Sequence, residues 1–276
     1  MNENFSVLMA VYKNDNPQDF RVAVESVTIK QTLKPSEVLM IVDGPVSPSL
    51  TNTIKQLQAE IPYIKVEWCE RNRGLGLALQ YGMEHVSNEL VARMDSDDIA
   101  LPQRFEYQVK LFIDDPELGI AGGQISEFID TPDNIVGYRY VPLKNKDIYN
   151  YLKIRSGFNH MTVMFRKSKV LQAGNYQSFY LAEDIYLWLR MSLCGCKFAN
   201  LDKVLVNVRV GREMYARRGG WKYFRSEVRL QKFRLKNGII SLPLYLFNMI
   251  VHFTVKCLML NKVRALFFQN MLRRHS

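Results

Sequence analysis

LVARMDSDD, residues 90–98, decides how this chain is read. Leu90, Val91, Ala92 and Met94 make an apolar run of strand length. Three carboxylates, Asp95, Asp97 and Asp98, follow within four positions. Like charges packed at the end of a buried strand repel, and that is only a cost unless a cation meets them. In an open α/β sheet, ligands bind outside such strand ends. An Asp-x-Asp there suits a hard divalent ion, Mn²⁺ or Mg²⁺, which takes one or two carboxylates plus substrate phosphates. A solvated acidic turn ahead of Pro102 is the alternative reading of these residues alone.

Outward from this stretch, strand-like and helix-like segments alternate. FSVLMAVY (5–12), EVLMIVDG (37–44) and IKVEWCE (64–70) read as strands. Between them, 16–31 sets Phe20, Ala23, Val24 and Val27 at helical spacing, and 47–61 opens with Ser47-Pro48 start signals. Residues 74–86 and 102–115 read as further helices, the second with Pro102 near its start, where proline is tolerated. This alternation predicts an α/β fold with a mainly parallel central sheet. Asp43 and Asp95 to Asp98 then fall at carboxyl strand ends. The second half is less regular. Residues 119–129 and 135–141 read as strands, 159–174 as a strand running into a short helix, 180–195 as a helix and 197–210 as closing strands.

The 276 residues suffice for one large domain, alone or with an appendage, and 47% apolar content excludes general disorder. The start, MNENFSVLMAVY, lacks the basic region of a signal peptide. Cys69, Cys194, Cys196 and Cys257 are scattered and read as reduced thiols of a cytoplasmic protein. The net charge of +10 is uneven: residues 221–276 hold eleven Lys or Arg and one acid, Glu227, whereas residues 1–220 hold 26 of each sign. That asymmetry points to an anionic partner for the tail.

Other candidates are weaker one by one. Asn72-Arg73-Gly74-Leu75-Gly76 precedes a helix, where backbone and helix start favour an anion, or simply makes a tight turn. Glu183 and Asp184 open a helix; such acids complement the helix dipole or serve as a general base. His160, near Arg155 and Asn159, is a structural histidine or a site group. Arg209, Arg212, Arg217 and Arg218 suit diphosphate oxygens or form a solvated basic loop.

MAVYKND (9–15), VDGP (42–45), NRGLGLAL (72–79), RMDSDD (93–98), NHMTVMFRKS (159–168), AEDIYLWLR (182–190) and ARRGG (216–220) occur in this order. Together they resemble glycosyltransferase family 2, in its bacterial branch that builds O-antigen, capsule and exopolysaccharide, over roughly residues 5–220. The resemblance implies a GT-A nucleotide-sugar-binding fold over 1–220 and an inverting transfer from a UDP-sugar, with Mn²⁺ or Mg²⁺ as the ion. Under it, Asp43 is the uracil-binding acid, with Ala10 and Tyr12 beside the base. Arg71, Asn72, Gly74, Arg93 and Ser96 complete the donor side. Asp95 faces the ribose and shares the metal site with Asp97, while Asp98 orients them or shares the ion. Asp184 is the first choice for the base and Glu183 the second. His160, Arg212, Arg217 and Arg218 meet diphosphate or acceptor. Tyr186 stands where many relatives carry a second acid, so no acceptor-side role carries over to that position.

The tail, 221–276, reads as a basic, amphipathic helical extension. Arg218, Lys222, Arg225, Arg229, Lys232 and Lys236 share one helical face. LPLYLFNMIVHFTVKCLML (242–260) is long enough to suggest a membrane span, but Asn248, His252 and Lys256 recur as a polar stripe. An interfacial helix on an anionic membrane surface is therefore preferred over a spanning or core helix. A peripheral enzyme on the cytoplasmic face of the bacterial inner membrane would suit a polyprenyl-diphosphate-linked saccharide acceptor, most simply undecaprenyl-diphosphate GlcNAc. The resemblance favours UDP-galactose as donor over UDP-glucose and UDP-N-acetylglucosamine. Competing readings are a nucleotidyltransferase, a non-catalytic assembly scaffold and a nucleic-acid-binding tail. The apolar 242–260 segment argues against nucleic acid.

Overall fold

The computed structural model describes residues 4–211 and 220–258. In it β1 (Phe5–Val11) is buried in a nine-stranded sheet. α1 (Pro17–Val27) follows, its start capped by the Asn16 side chain, which accepts from the Gln18 and Asp19 amides. β2 (Glu37–Val42), α2 (Pro48–Glu60), β3 (Ile64–Trp68), α3 (Leu75–His85) and β4 (Leu90–Met94) continue the alternation. Next come β5 (Ile99–Ala100), α4 (Arg104–Asp114), β6 (Leu118–Phe128), β7 (Ile135–Arg139) and α5 (Asn145–Tyr151). β8 (Met164–Arg166), α6 (Lys167–Gln172), α7 (Glu183–Leu193) and β9 (Lys197–Arg209) complete the sheet and its layers. α8 (Trp221–Lys236) and α9 (Leu242–Phe253) lie beyond it, and a π-helical turn over 254–258 follows.

The strand order is β3-β2-β1-β4-β8-β6-β9-β5, with β7 on β6. β1, β2, β3 and β4 pair in parallel, as does β6 with β9. β8 runs antiparallel between β4 and β6, and β5 and β7 are also antiparallel, so the sheet is mixed. The alternation of side chains builds two cores. Val7, Met9 and Val11 face Phe20 and Val24 of α1; Leu8 and Ile41 face Leu79 of α3 on the other side, in a core shared with Trp188 of α7.

The two ends of the parallel strands are treated differently. At the amino end, Glu37 accepts from Ser6 Oγ, Ser87 N and Oγ, and Lys65 Nζ, joining β1, β2, β3 and the entry to β4. Burial alone would raise the Glu37 carboxyl, but these donors outweigh it and hold it at about 2. A carboxyl depressed on folding stabilises above its unfolded pKa and loses that contribution as pH falls toward the folded value. Denaturant titrations should therefore show Glu37→Gln destabilised by about 3 kcal/mol near neutrality, with the gap to wild type shrinking below pH about 4.5. A gap that does not change with pH would contradict this clamp. At the carboxyl end the acids instead hold the loops that surround the site.

α8 packs on this body through Leu230, through Phe233 against Tyr186, and through Ser226 Oγ, which donates to the Tyr180 carbonyl. Tyr186 is thereby occupied in packing. Asn248, His252 and Lys256 of the last segment turn toward α8, not away from it, so the expected polar stripe is an internal seam. Among the described residues no helix is long and apolar enough to cross a membrane.

Candidate active site

Arg93, the fourth residue of β4, is the electrostatic centre of the open end. It is 2% exposed, and its guanidinium pairs with Asp95. Its Nε and Nη1 have no hydrogen-bond partner among the described residues. The positive charge also acts on Asp97, Asp98, Glu183, Asp184 and His160. Arg93 is thus placed beneath the carboxylates, not on an open donor face. Buried Arg104 holds the same turn from below, donating Nη2 to the Arg93 carbonyl at 2.7 Å.

Beyond β4 the chain turns sharply, and each acid meets a different environment. Asp98 is buried and accepts the Arg209 amide at 2.9 Å, which ties the turn to the end of β9. Burial and the Asp95 and Asp97 charges push its carboxyl well up. Arg209 itself is spent on this anchoring: Nε donates to the Asp97 carbonyl, and Nη2 lies 2.8 Å from Asp19. Asp97 opens to solvent, yet the protein packed around it and the Asp95 and Asp15 charges raise it to about 6.

Asp15 is a member of this cluster that the sequence reading quoted but gave no role. Its carboxylate accepts the Tyr12 amide at 3.0 Å and a bond from Ser96. Burial, then Asp95, raise it to about 6 against those bonds. An acid four residues past a strand looks like ordinary loop chemistry; only the return of β4 beside β1 reveals its neighbours. Tyr12 is partly exposed and Ala10 half-buried on the same edge.

The second strand end is arranged around Asp43. Its carboxylate accepts the Arg73 and Gly74 amides, both at 2.8 Å, and its carbonyl accepts from Asn72 Nδ2. Asp43 therefore fixes the loop that carries Arg71 and Asn72, whose side chains are exposed. Gly44 is required here: at φ +89°, a Cβ would lie 2.5 Å from the Asn72 nitrogen. Gly76 has a comparable reason, since a Cβ there would lie 2.7 Å from the Gln177 carbonyl oxygen and 3.3 Å from Glu183 Cβ. The glycine motif thus lets α3 approach the start of α7.

That approach brings Glu183 and Asp184 to the Arg93 end of the sheet. Both are half-buried. Burial, then Asp184, pushes Glu183 up to about 7; burial raises Asp184, while Arg93 and Arg139 at the end of β7 act in the opposite sense. His160 Nε2 lies 2.9 Å from the Tyr176 hydroxyl, and its ring stands edge-on to Trp188. Burial and Arg93 keep the imidazole neutral. Arg212, Arg217 and Arg218 lie outside the described residues.

A shallow groove of about 530 Å³ begins at Tyr140, one residue beyond Arg139, and is bounded by Asp147, Asn150, Tyr151 and Ile154.

Among the described residues no three acids, histidines or cysteines form a preformed metal cage. Asp95 and Asp97 still fit a hard divalent ion. They supply carboxylate oxygens, they repel one another, and an ion bound jointly with a nucleotide diphosphate needs only one or two protein carboxylates.

Comparison with known proteins bears on the family and the fold. The family model described as "Glycosyl transferase family 2" matches residues 6–174. The amylovoran biosynthesis glycosyltransferase AmsE of Erwinia amylovora is 40% identical over 87% of this chain and 90% of its own length. The UDP-Gal:alpha-D-GlcNAc-diphosphoundecaprenol beta-1,3-galactosyltransferase of Escherichia coli is 36% identical over 98% of this chain and 97% of its own. Among solved structures, S. aureus TarS 1-349 in complex with UDP-GlcNAc superposes with a TM-score of 0.66 over 91% of this chain and 72% of that one, at 16% identity. The Pyrobaculum calidifontis mannosyltransferase PcManGT in complex with GDP-Man and Mn2+ gives 0.65 over 93% and 71%, at 14% identity. These two likenesses bear on the fold, which is of the GT-A kind.

Proposed function

The chain belongs to glycosyltransferase family 2, and we propose that it moves galactose from UDP-galactose to an undecaprenyl-diphosphate-linked N-acetylglucosamine. The observation that carries this reading is the match to the E. coli galactosyltransferase along nearly the whole of both chains. The product would be an early unit of O-antigen or a related surface polysaccharide, made at the cytoplasmic face of the bacterial inner membrane.

The residue roles combine the family resemblance with the placement of the described residues. Asp43 holds the 71–74 loop, which with Ala10 and Tyr12 forms the nucleoside side. Asp95 and Asp97 would hold Mn²⁺ or Mg²⁺, which when bound offsets charge on the diphosphate. Asp98 anchors their turn to β9. Arg93, fixed on Asp95, keeps the carboxylates in place from below. His160, with Arg212, Arg217 and Arg218, meets the diphosphate or the acceptor.

Transfer is a single in-line displacement with inversion. An acceptor hydroxyl oxygen forms a bond to the anomeric carbon, and the bond from that carbon to the UDP oxygen breaks. Asp184 takes the hydroxyl proton. Glu183 shares the negative field of that pair and is the second choice for the base. No nucleophilic side chain is needed, since no sugar–enzyme bond forms.

Donor competition tests the sugar. With lipid-diphosphate GlcNAc as acceptor, UDP-galactose should give a kcat/KM at least about tenfold above UDP-glucose and UDP-N-acetylglucosamine. A higher value for either of the others would reassign the donor and leave the class standing.

A further inference from the structure

His160 opens a single 3₁₀ turn, His160–Thr162, and the next residue, Val163, accepts the Arg93 amide on its carbonyl at 2.9 Å. The turn sets the imidazole on the side of the sheet where Val91, Tyr176 and Trp188 pack together, and Arg93, two residues beyond Val91, shares that side. A neutral imidazole carries a proton on one nitrogen and a lone pair on the other. Which nitrogen holds the proton depends on what each one faces. Nε2 lies 2.9 Å from the Tyr176 hydroxyl. Nδ1 has no hydrogen-bond partner among the described residues, and His160 is only half-buried.

Tyr176 decides between the two forms. Its side chain is wholly buried, and among the described residues its hydroxyl meets no other hydrogen-bonding group. The hydroxyl proton therefore has one acceptor, His160 Nε2. With the ring proton on Nε2 instead, the hydroxyl proton would turn into the apolar packing against Phe165 and Trp188 with nothing to receive it. Burial pushes the phenol further up from its ordinary value, so it keeps its proton and donates. The ring proton then belongs on Nδ1.

The Tyr176 backbone is fixed from two helices. Asn175 stands at φ +57°, a left-handed conformation that asparagine tolerates. Its Oδ1 accepts the Tyr176 amide at 2.7 Å, and its Nδ2 donates to the Gln80 carbonyl of α3 at 3.1 Å. Arg190 of α7 donates Nη1 to the Ala173 carbonyl at 2.6 Å and Nη2 to the Asn175 carbonyl at 2.7 Å. A hydroxyl held this firmly can select one form of its partner.

We propose that Tyr176 is the positioning residue of His160: its hydroxyl holds the imidazole in the Nδ1–H form, so that His160 offers a neutral, directed N–H to an oxygen of the substrate. The inference deepens the proposed transfer reading and rests on it for the substrate. A donor diphosphate oxygen and an acceptor saccharide oxygen are the same chemistry to such a group.

The test uses the full chain labelled with ¹⁵N-histidine. The sequence has four histidines, so the His160 signals are assigned by their loss in His160→Asn. NMR of the wild type should show the proton on Nδ1, and Tyr176→Phe, which keeps the ring packing, should move it to Nε2 or mix the two forms. A wild-type proton on Nε2 would overturn the inference, as would an unchanged pattern in Tyr176→Phe. This readout needs neither donor nor acceptor, so it stands whatever the transfer assay gives. In transfer, Tyr176→Phe should lower kcat/KM about tenfold, the worth of one hydrogen bond. His160→Gln should lower it about a hundredfold, as for loss of one directed donor. His160→Asn, whose amide sits where Nδ1 does, should stay at least about tenfold above His160→Gln. Equal loss in the last two would count against a role for Nδ1. Hydrolysis of UDP-galactose without acceptor locates the oxygen: a fall matching that of transfer places it on the donor, and a fall in transfer alone places it on the acceptor. Either supports the inference, whereas wild-type transfer by Tyr176→Phe would contradict it.

Discussion

Replacing Asp97 by alanine is expected to lower sugar transfer at least about a thousandfold. Asp97 is the member of RMDSDD whose carboxylate opens to solvent, while Asp98 is engaged by the Arg209 amide and Asp95 by Arg93. It therefore has the freest oxygens for an ion and a diphosphate. Calorimetry should show UDP binding in Mn²⁺ reduced to the level the wild type has in EDTA, because what is lost is the ion's share of that binding. Near-normal transfer by Asp97→Ala would move the metal site elsewhere. The fold should be little affected, since Asp97 makes no buried side-chain bond among those described and sits in a repulsive cluster.

The second large effect is expected at Asp184. Asp184→Ala should lower kcat by about 10²- to 10⁴-fold, the range for removing a general base, while UDP affinity stays within about twofold. The split follows from position. Asp184 is the second residue of α7, and the cationic charges acting on it come from Arg93 and Arg139. Removing it should not disturb the nucleotide side proposed for Asp43 and the 71–74 loop. Glu183→Gln, made in parallel, separates the pair: a deeper kcat loss there than at Asp184 would make Glu183 the base.

Much of this was legible in the sequence, for reasons that differ by segment. The β1–β4 half was readable because its strands are apolar throughout and its helices carry start signals at Asn16-Pro17 and Ser47-Pro48. The parallel pairing of β6 with β9 was not, because it joins segments about seventy residues apart with β8 set antiparallel beside them. Composition does not encode which strand fills that gap.

At the site, the acids themselves were readable and their division of labour was not. Nothing local says that Asp43 spends its oxygens on two amides, or that Arg93 points inward. Asp15 was invisible because its partners, Asp95, Ser96 and Asp97, are eighty residues away. The polar stripe of α9 was legible as a stripe, but not the side it faces. Glu227 was the available signal: one acid in a strongly basic tail needs a cationic setting, and Lys256 of the stripe supplies it.

The most direct measurement is product formation from UDP-galactose and a synthetic lipid-diphosphate GlcNAc, in Mn²⁺ and in EDTA, with the new linkage read by NMR. A β-linked disaccharide that appears with Mn²⁺ and disappears with EDTA is the predicted result. An α-linked product, or equal transfer in EDTA, would contradict the inverting, metal-dependent mechanism proposed for Asp97 and Asp184.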